Sequence, residues 1–482
     1  MCRRFVLPVL VCMFAGPVRA ESVAERLVAR AIAAIGGEAA LDAAMRMRVV
    51  LIGNEDLDVV YQGATPAVPG TTRRAETLVI DAAAGRSADR HEGVSADGNT
   101  AMWLNVTQGD RGMRLNIKTQ RLIASKDDEA RELHRNRLWR VPHHALREMR
   151  ANPTRSLRVQ PVSVRGVEHD AIAYEVHPKI FIDVLFDRDT GRLAGYRSSG
   201  PYVLGPTTTE FLFKRYRPAG TLGMFPSGIQ IIVGGGTYRD LDVYDVRPSR
   251  VAEDSWLTRP IPDLPPILRI VRQEPKAEPI APHAYILRNM IGYNVLVADI
   301  GECLVMVDAP AHVAVPQPLP SASASPVAAP LIRQKLAEVA GKKKVCYVVP
   351  THHHADHVTG LVDFARAGAT VLTTEGNVDL VRRMIGATAR VETVGDRRVL
   401  GEGDRRIEIW KVAGDPHAGD TLFAYLPASR IAFEADITDY VLSAKHFLQF
   451  VEDRGLKIDR LYGAHNGSSA ELWELEDDDP SN

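Results

Sequence analysis

After its first twenty residues the chain opens with a pattern typical of an amphipathic helix. In VAERLVARAIAAI, residues 23–35, apolar residues recur three and four positions apart, which is the spacing of one helix face. Ser22 and Glu25 have the spacing of a capping box, in which each side chain accepts a hydrogen bond from the other residue's backbone N–H. Gly36 and Gly37 then end this helix, and a short second helix is predicted over residues 38–45.

Between residues 46 and 250 the hydrophobic pattern changes to that of strands. Short runs such as MRVVLIG, ETLVID, TAMWLNV, IFIDVLFD and LDVYDVR follow one another, separated by turn signals such as DRDTG. One helical stretch interrupts the series near residues 129–150. Regularly spaced strands without helices between them predict a large antiparallel sheet. We therefore expect a β-rich domain with an N-terminal helix over residues 21–255.

A proline-rich stretch separates this region from a different pattern. Because proline at this density opposes both helices and central strands, we expect a stiff linker over residues 256–283. From 284 to 475 strand-like and helix-like runs alternate, which predicts a sheet covered by helices. The Ala-, Ser- and Pro-rich segment 315–330 interrupts the alternation and is predicted to be a mobile loop. Residues 476–482 form an acidic tail.

Composition indicates a soluble globular protein, and the N-terminus indicates export. The 482 residues are 45% hydrophobic and 25% charged, with a formal net charge of −1, which gives no support for nucleic-acid binding. Residues 1–20 combine two arginines, a short apolar run and small residues up to Ala20, the pattern of a secretory signal peptide. No later segment is long and apolar enough to span a membrane. We therefore expect a periplasmic or secreted protein whose partner is a small-molecule substrate, with its oligomeric state left open.

Two cysteines, Cys303 and Cys346, would remain after cleavage of the signal peptide. An oxidising compartment permits a disulfide between them, but two separate buried thiols fit the sequence equally well.

The strongest chemical signal is THHHADH, which holds four of the chain's 15 histidines. It directly follows an apolar strand, KVCYVV, so the strand end would hold its side chains rigidly. In extended geometry His352 and His354 lie on one side of the chain and His353 on the other. Asp356 and His357 lie where the chain turns into the next helix, so they can face a second point nearby. The spacing therefore predicts two metal half-sites.

Three residues further along the chain can complete these half-sites. His417 lies in a loop between two strand-like runs, Asp436 ends the run RIAFEAD, and His465 follows another apolar run. A catalytic zinc ion usually has three protein ligands and a water molecule. All three residues are therefore candidate metal ligands.

On these motifs the C-terminal half resembles the metallo-β-lactamase superfamily of hydrolases. Asp308 in LVMVDAP matches the first family motif and THHHADH the second, while His417, Asp436 and His465 match the third, fourth and fifth in order. The resemblance covers about residues 285–469. It implies a four-layer αββα sandwich with a metal site on one edge of two packed sheets. The aspartate of the fourth motif is similar to that of the glyoxalase-II-like and lactonase-like branches.

The resemblance also implies a dinuclear metal centre, with zinc favoured and iron or manganese as alternatives. The implied ligands are His352, His354 and His417 for one ion, Asp356, His357 and His465 for the other, and Asp436 as a bridge. Two such ions lower the pKa of a bridging water, so hydroxide can attack a carbonyl near neutral pH. Asp356 is the candidate catalytic residue, which would orient this nucleophile or transfer its proton. Asp308 is expected to fix the ligand loop, and His353 to pack away from the ions.

The N-terminal region carries a weaker resemblance, to the curved sheets of periplasmic lipoprotein carriers. Its opening helix that ends in Gly-Gly and the segment FDRDTGRLAGYR are the similar features. Such sheets bind apolar ligands or serve as structural platforms.

Several functions fit these observations. An exported two-zinc hydrolase of an ester, thioester or lactone is the leading hypothesis. One alternative is a β-lactamase, although those enzymes usually carry Cys or Ser where this chain has Asp436. A second is a mononuclear-iron sulfur dioxygenase, which binds its ion through two His and an Asp. A third is a periplasmic protein that binds an apolar ligand. The fold alone does not choose among these functions.

Overall fold

The computed structural model describes two regions of regular structure. The described residues are 22–56, 59, 71–94, 100–118, 122–202, 205–249, 255–261, 274–311, 317–320, 328–437, 441–465 and 469–470. The predicted signal peptide, residues 1–20, and the predicted acidic tail, residues 476–482, lie outside these ranges. Within them, every helix is too short or too polar to cross a membrane.

The N-terminal region is built on one large antiparallel sheet. Its strands, β1 to β15, span Arg46–Asp56, Thr71–Asp81, Arg86–Val94, Thr100–Gln108, Arg111–Asn116, Leu122–Lys126, Ser156–Val164, Val167–His177, Ile180–Asp187, Leu193–Tyr202, Gly205–Phe213, Tyr216–Pro218, Met224–Pro226, Gly228–Val233 and Gly236–Pro248. Thirteen of them form a sheet in the order β6-β5-β4-β3-β2-β1-β15-β14-β11-β10-β9-β8-β7, and β12 pairs with β13. Neighbouring strands of the large sheet pair antiparallel. The predicted β-rich antiparallel domain is confirmed.

Five α-helices in the described part of the chain accompany this sheet. They are α1 to α5, spanning Val23–Ile35, Gly37–Ala43, Asp127–Trp139, Pro142–Ala151 and Ser255–Thr258. The predicted capping box begins α1: the backbone N–H of Glu25 donates to Ser22 Oγ at 3.1 Å, and that of Ser22 to Glu25 Oε2 at 2.7 Å. The single helical stretch expected near 129–150 is two helices, α3 and α4. Pro142 begins the second, where a missing N–H costs nothing.

The two faces of the sheet are covered differently. Leu78 and Val79, successive residues of β2, belong to two separate apolar cores. The core on the side of Leu78 includes Ile32 of α1 and Leu146 of α4, both buried. The core on the side of Val79 includes Leu257 of α5. Because side chains alternate along a strand, α1 and α4 cover one face and α5 covers part of the other.

The C-terminal region contains two further sheets. Strands β16 to β28 span Lys276–Ala281, Ala284–Met290, Tyr293–Asp299, Leu304–Val307, Val345–Val349, Thr370–Thr373, Val391–Thr393, Arg397–Leu400, Ile407–Asp415, Gly419–Leu426, Ile431–Glu434, Arg460–Gly463 and Ser469–Ala470. Strands β16 to β22 form the first sheet in chain order, and β23 to β28 form the second. The helices α6 to α10 span Ala329–Ala340, Ala355–Val358, Leu361–Arg366, Val378–Ile385 and Val441–Asp453.

Three apolar cores show how these elements stack. The middle core joins the sheets, with Val307 of the first sheet and Phe433 of the second both fully buried. A second core packs Leu361 of α8 and other helical residues on the outer face of the first sheet. The third packs Phe447 of α10 on the outer face of the second sheet. The order is therefore helices, sheet, sheet, helix, and the predicted four-layer αββα sandwich is confirmed.

The segment predicted as a linker, 256–283, contributes to both regions. Leu257 packs on the N-terminal sheet, and β16, Lys276–Ala281, is a strand of the first C-terminal sheet. Pro279 is compatible with this strand because β16 lies at the edge of the sheet, where a missing N–H removes no bond to an outer neighbour. The segment is thus a strand at one end, and the exact domain limits stay a prediction.

The segment expected to be a mobile loop, 315–330, is anchored at its described part. Leu319 is 1% exposed and belongs to the apolar core of the N-terminal region. Its backbone N–H donates to Oδ1 of Asn136 of α3, at 3.0 Å in a buried position. The expectation of mobility is therefore wrong for residues 317–320, because a leucine side chain there is buried in the other region.

Cys303 and Cys346 form a disulfide, with their Cα atoms 5.8 Å apart. Cys303 lies just before β19 and Cys346 lies in β20, the parallel neighbour of β19. The disulfide therefore links the N-terminal ends of two strands, and the C-terminal ends of the same strands lead to Asp308 and THHHADH.

Candidate metal centre

The ligand-type side chains predicted from the sequence lie at strand ends of both C-terminal sheets. Parallel neighbours β19 and β20 end next to Asp308 and THHHADH, respectively. Parallel neighbours β26 and β27 end just before Asp436 and His465. His417 lies in the turn between β24 and β25. The carboxyl ends of parallel strands lie at one edge of a sheet, so the sandwich gathers residues distant in sequence at one place.

Four of these side chains form a first group. Their ligand atoms all lie within 4.8 Å of one another, and the members are His352, His354, His417 and Asp436. The ring centroids of His352 and His354 are 4.5 Å apart, as expected for side chains on the same side of an extended segment. His417 reaches them from the other sheet, with its ring centroid 4.7 Å from that of His354.

Three side chains form a second group with ligand atoms also within 4.8 Å of one another: Asp356, His357 and His465. The ring centroids of the two histidines are 5.4 Å apart. The side chain of His357 is fully buried, whereas that of His465 is 33% exposed. This group is therefore exposed to solvent on the side of His465.

The carboxylate of Asp436 lies between the two groups. Its Oδ2 atom is 3.2 Å from Nε2 of His352, 3.4 Å from that of His417 and 3.0 Å from that of His357. Its Oδ1 atom is 2.6 Å from Nε2 of His465. One carboxylate thus contacts imidazoles from both groups, which is the position that a bridging ligand requires.

Local backbone geometry aims two of the aspartates. Asp308 has φ +68° and Asp436 has φ +64°, both in the left-handed region. Non-glycine residues are uncommon there, although aspartate tolerates it better than most, and such residues cluster at functional sites. Next to Asp436 the turn is held by Glu434, whose Oε2 accepts a 2.8 Å hydrogen bond from the backbone N–H of Ile437.

Two histidines of the first group are held in the neutral form. Burial lowers the pKa of His352 well below its usual value, with the positive charge of His357 acting in the same direction. Burial, assisted by His417, lowers the pKa of His354 to about 3. A neutral imidazole has a free lone pair on one nitrogen, and this is the form that binds a metal ion.

His357 and Asp436 shift in opposite directions. Burial alone would lower the pKa of His357, but the carboxylates of Asp356, Asp308 and Asp436 raise it well above its usual value. Burial would raise the pKa of Asp436, but His357 and His465 lower it well below the usual range. A proton on His357 and the charge on Asp436 therefore stabilise each other. A divalent cation would take the place of that proton, because ligating imidazoles are neutral.

Asp308 orients the ligand loop from behind. Its Oδ1 accepts a 2.8 Å hydrogen bond from the backbone N–H of Thr351, and its Oδ2 lies 2.9 Å from Nδ1 of His357. An ionised carboxylate only accepts, so Nδ1 of His357 is the donor and Nε2 is left to face Asp436. Asp308 belongs to neither group of ligand atoms, which agrees with its expected role of fixing the loop.

His353 is also outside both groups. It is buried, and its ring centroid lies 6.2 Å from that of His352 and 4.7 Å from that of His354. Its placement follows the alternation of the extended segment, which directs its neighbours to the opposite side.

Two residues of the site were missed by the sequence analysis. Asp415 accepts hydrogen bonds at its Oδ1 from the backbone N–H groups of His417, at 2.9 Å, and Ala418, at 3.3 Å. An aspartate two residues before a turn histidine is the signal of an Asx turn and could have indicated this role. Tyr293 donates its hydroxyl to Oδ2 of Asp356 at 3.0 Å. Its sequence context carried no such signal.

The donor set fits one or two divalent metal ions. It combines imidazole nitrogens with carboxylate oxygens, which suits zinc and also iron or manganese. Asp436, a member of the first group, also contacts His357 and His465 of the second, and each group offers at least three ligand atoms. His/Asp groups of this composition can hold metal, and the identity of the ion is not fixed by the donors.

A further group of ligand-type residues lies in the N-terminal sheet: Glu76, Asp89 and His91. Its carboxylates already have cationic partners, because Arg140 contacts Glu76 and Arg137 contacts Asp89. These guanidinium groups occupy the positions and the charge that a metal ion would need, so we interpret this group as a buried ion-pair network.

A family match agrees with the fold of the C-terminal region. Residues 292–423 match the family described as the metallo-beta-lactamase superfamily. No curated protein matches the chain. Similar solved structures include a stereoselective inverting sec-alkylsulfatase from Pseudomonas sp., which is 17% identical to this chain. The match covers 42% of this chain and 40% of the alkylsulfatase chain, with a TM-score of 0.32.

Two other similar structures come from different classes of protein. A metallo-beta-lactamase from Pontibacter korlensis is 19% identical over 42% of this chain and 96% of its own, with a TM-score of 0.32. The flavodiiron protein from Giardia intestinalis is 18% identical over 42% of this chain and 57% of its own, with a TM-score of 0.33. The match spans less than half of the alkylsulfatase, and similarity at these levels carries no activity over to this chain. The family match at residues 292–423 lies inside the described αββα sandwich, so the C-terminal region is similar to the metallo-beta-lactamase superfamily in its sequence over these residues.

Proposed function

We propose that this protein is an exported hydrolase with a dinuclear metal centre, most readily zinc, that cleaves an ester, a thioester or a lactone. The observation that carries the proposal is the position of Asp436, whose carboxylate contacts His352 and His417 of one group and His465 of the other. A one-metal site would have no use for a carboxylate shared in this way.

The roles of the residues follow from their positions. His352, His354 and His417 would hold one ion, Asp356, His357 and His465 the other, and Asp436 both. When bound, two divalent ions polarise a carbonyl oxygen and lower the pKa of a shared water molecule. Asp356 would orient the attacking water and accept its proton, and the 3.6 Å distance between its Oδ2 and Nε2 of His357 supports this role.

The choice of substrate class rests on the same aspartate. A bridging carboxylate adds negative charge between the ions, so it moderates the Lewis acidity of each while holding both. Branches of the superfamily that resemble this chain in having Asp at the fourth motif mostly open lactones or cleave thioesters. β-Lactamases usually have Cys or Ser at that position. We therefore rank ester, thioester and lactone hydrolysis above β-lactam hydrolysis.

The two remaining alternatives have less support. A mononuclear-iron sulfur dioxygenase needs only two His and an Asp, which leaves the second group unexplained. A carrier of apolar ligands would need a free apolar face on the large sheet. In the described part of the chain, the face that includes Leu78 is packed against α1, α2 and α4, and Leu41, Leu146 and Met149 are buried there.

Export is supported by two features. Residues 1–20 have the pattern of a signal peptide, and Cys303 and Cys346 are joined in a disulfide. Disulfides persist in oxidising compartments and are rare in the cytosol.

Elemental analysis of the purified protein, combined with a panel of ester, thioester, lactone and β-lactam substrates, tests the proposal. We expect about two metal ions per chain and the highest kcat/KM on an ester, thioester or lactone. A reproducible content of about one ion, with iron alone, would favour the dioxygenase instead. A preference for a β-lactam over every other class would overturn the substrate assignment.

A further inference from the structure

Tyr293 lies where the two sheets of the sandwich meet at the metal centre. It is the first residue of β18 in the first sheet and forms an isolated antiparallel bridge with His465, beyond the end of β27 in the second. The next residue, Asn294, strengthens this junction: its backbone N–H donates to the carbonyl of Ala464 at 2.6 Å, and its Nδ2 to that of Gly463 at 2.9 Å. The backbone that follows Tyr293 is therefore fixed against the second sheet.

The side chain of Tyr293 contacts every member of the second group. Its hydroxyl donates to Oδ2 of Asp356 at 3.0 Å. Its ring centroid lies 5.8 Å from that of His357, at an interplanar angle of 85°. The ring also packs 5.1 Å from that of His465.

We propose that Tyr293 is a positioning residue that sets the geometry, and so the metal affinity, of the half-site formed by Asp356, His357 and His465. This inference rests on the proposed function only in requiring that this half-site binds an ion. The residue acts through its neighbours and needs no contact with substrate.

The hydroxyl group of Tyr293 orients the carboxylate of Asp356. The carboxylate of Asp356 can rotate about its side-chain bonds, and Oδ2 is the oxygen that lies 3.6 Å from Nε2 of His357. A hydrogen bond from Tyr293 to that oxygen uses one of its lone pairs and leaves another directed at the ligand atoms. Partners of this kind orient metal ligands, and their loss typically weakens metal binding about 10–100-fold.

The aromatic ring of Tyr293 restricts the position of the His465 imidazole. His465 is 33% exposed and comes from the opposite sheet to Asp356 and His357, so its position relative to them depends on contacts between the sheets. Packing against Tyr293 restricts the imidazole of His465 to the inner side of the site. Because Tyr293 contacts ligands from both sheets, its ring helps to set their separation.

A matched tyrosine in the same region offers a control. Tyr425, in β25, donates its hydroxyl to the backbone carbonyl of Lys457 at 2.7 Å. That hydrogen bond involves none of the candidate metal ligands. Tyr293→Phe and Tyr425→Phe therefore both remove one hydrogen-bonding hydroxyl, but only the first removes it from a ligand carboxylate.

The experiment is a calorimetric titration of Zn²⁺ into the metal-free full-length protein and both variants, with urea unfolding of each metal-free form. We expect Tyr293→Phe to weaken one of the two binding steps by about 10–100-fold and to leave the other unchanged. Tyr425→Phe should bind both ions as the wild type does. Tyr293→Ala should weaken the same step further and change the visible spectrum of the Co²⁺-loaded protein, because the ring is lost as well.

Four outcomes would overturn the inference. In three of them Tyr293→Phe binds both ions as tightly as the wild type, loses affinity equally in both steps, or shows no more loss than Tyr425→Phe. Uptake of a single ion by the wild type would also overturn it, since no second half-site would exist to be positioned. Failure of hydrolysis by a protein that binds two ions tightly would contradict the proposed function and leave the assignment of Tyr293 intact.

Discussion

Oδ2 of Asp436 lies 3.0 Å from Nε2 of His357. The two residues belong to different sheets, because His357 follows β20 in the first sheet and Asp436 follows β26 in the second. The ligand groups are therefore completed only when the two sheets pack against each other. The apolar core between the sheets, which includes Val307 and Phe433, is thus a condition for the chemistry as well as for stability.

Replacing Asp436 by alanine tests its place between the two groups. Without the carboxylate, each ion would lose a ligand and the negative charge between the half-sites would disappear. We expect Asp436→Ala to lower the metal content and to reduce kcat/KM by several orders of magnitude on whichever substrate the panel identifies. Elemental analysis and steady-state kinetics on the same preparations measure both effects.

His353→Ala is the control for Asp436→Ala. His353 is buried in the same loop but belongs to neither ligand group, so its loss should cost much less activity and leave the metal content unchanged. Retention of two ions and near-full activity by Asp436→Ala would show that the carboxylate does not bridge.

A second prediction concerns the contact between the two regions at Leu319. This side chain is 1% exposed within the N-terminal core, although it lies in a segment inserted into the C-terminal sequence pattern. Truncating a buried leucine to alanine typically costs about 2–5 kcal/mol, so Leu319→Ala should lower the free energy of unfolding by that amount. Urea denaturation followed by far-UV circular dichroism measures it.

Leu157→Ala is the matched control, because Leu157 is 57% exposed on β7. We expect it to change the free energy of unfolding by no more than about 0.5 kcal/mol. Equal effects of the two substitutions would mean that Leu319 contributes no buried contact between the regions.

Local features were predicted well from the sequence. The capping box of Ser22 and Glu25 and the alternation of His352, His353 and His354 depend only on residues a few positions apart. Their physical rules act within one turn of helix or one stretch of strand, so the pattern alone was sufficient. The order of strands and helices in the C-terminal region was predicted for the same reason.

Contacts between distant segments were not predictable in this way. Tyr293 and Asp356 are separated by 63 positions, and the hydrogen bond between them depends on the order in which β18, β19 and β20 pair within the first sheet. Leu319 lies in an Ala-, Ser- and Pro-rich segment whose composition favours a loop, and only its burial in the other region shows its role. Pro142 marks the boundary between α3 and α4, but the helical pattern on both sides of it led to the prediction of a single helical stretch.

The disulfide between Cys303 and Cys346 leads to a third prediction. It closes a loop with a sequence separation of 43 residues, and a cross-link of this kind typically stabilises a protein by about 2–4 kcal/mol. A reducing agent should therefore lower the free energy of unfolding of the wild type by this amount. The double variant Cys303→Ser/Cys346→Ser should have the lower stability from the start and no response to reductant. A wild type that unfolds identically with and without reductant would show that the bond contributes nothing.

A fourth prediction concerns pH and the ion-pair network of the N-terminal sheet. His91 lies between two buried carboxylates, with its Nδ1 2.5 Å from Oε1 of Glu76 and its Nε2 in contact with Asp89. Burial would lower the pKa of His91, but Glu76 and Asp89 raise it above its usual value of 6.5. A raised pKa in the folded state gives stability that is fully present below the unfolded-state pKa. That stability is lost as the pH rises through the folded-state pKa.

The free energy of unfolding of the metal-free protein should therefore decrease from about pH 6.5 upward by an amount that depends on His91. His357 also has a raised pKa, so the test compares urea denaturation of the wild type with that of His91→Asn between about pH 6 and pH 9. We expect the variant to be less stable than the wild type at pH 6 and the difference to shrink as the pH rises. His446→Asn, on α10 in the C-terminal region, serves as the control and should follow the wild type throughout. A difference in the free energy of unfolding between wild type and His91→Asn that stays constant at every pH would mean that His91 is uncharged in the folded protein. Arg74, Arg137 and Arg140 alone would then balance the charge of Glu76 and Asp89.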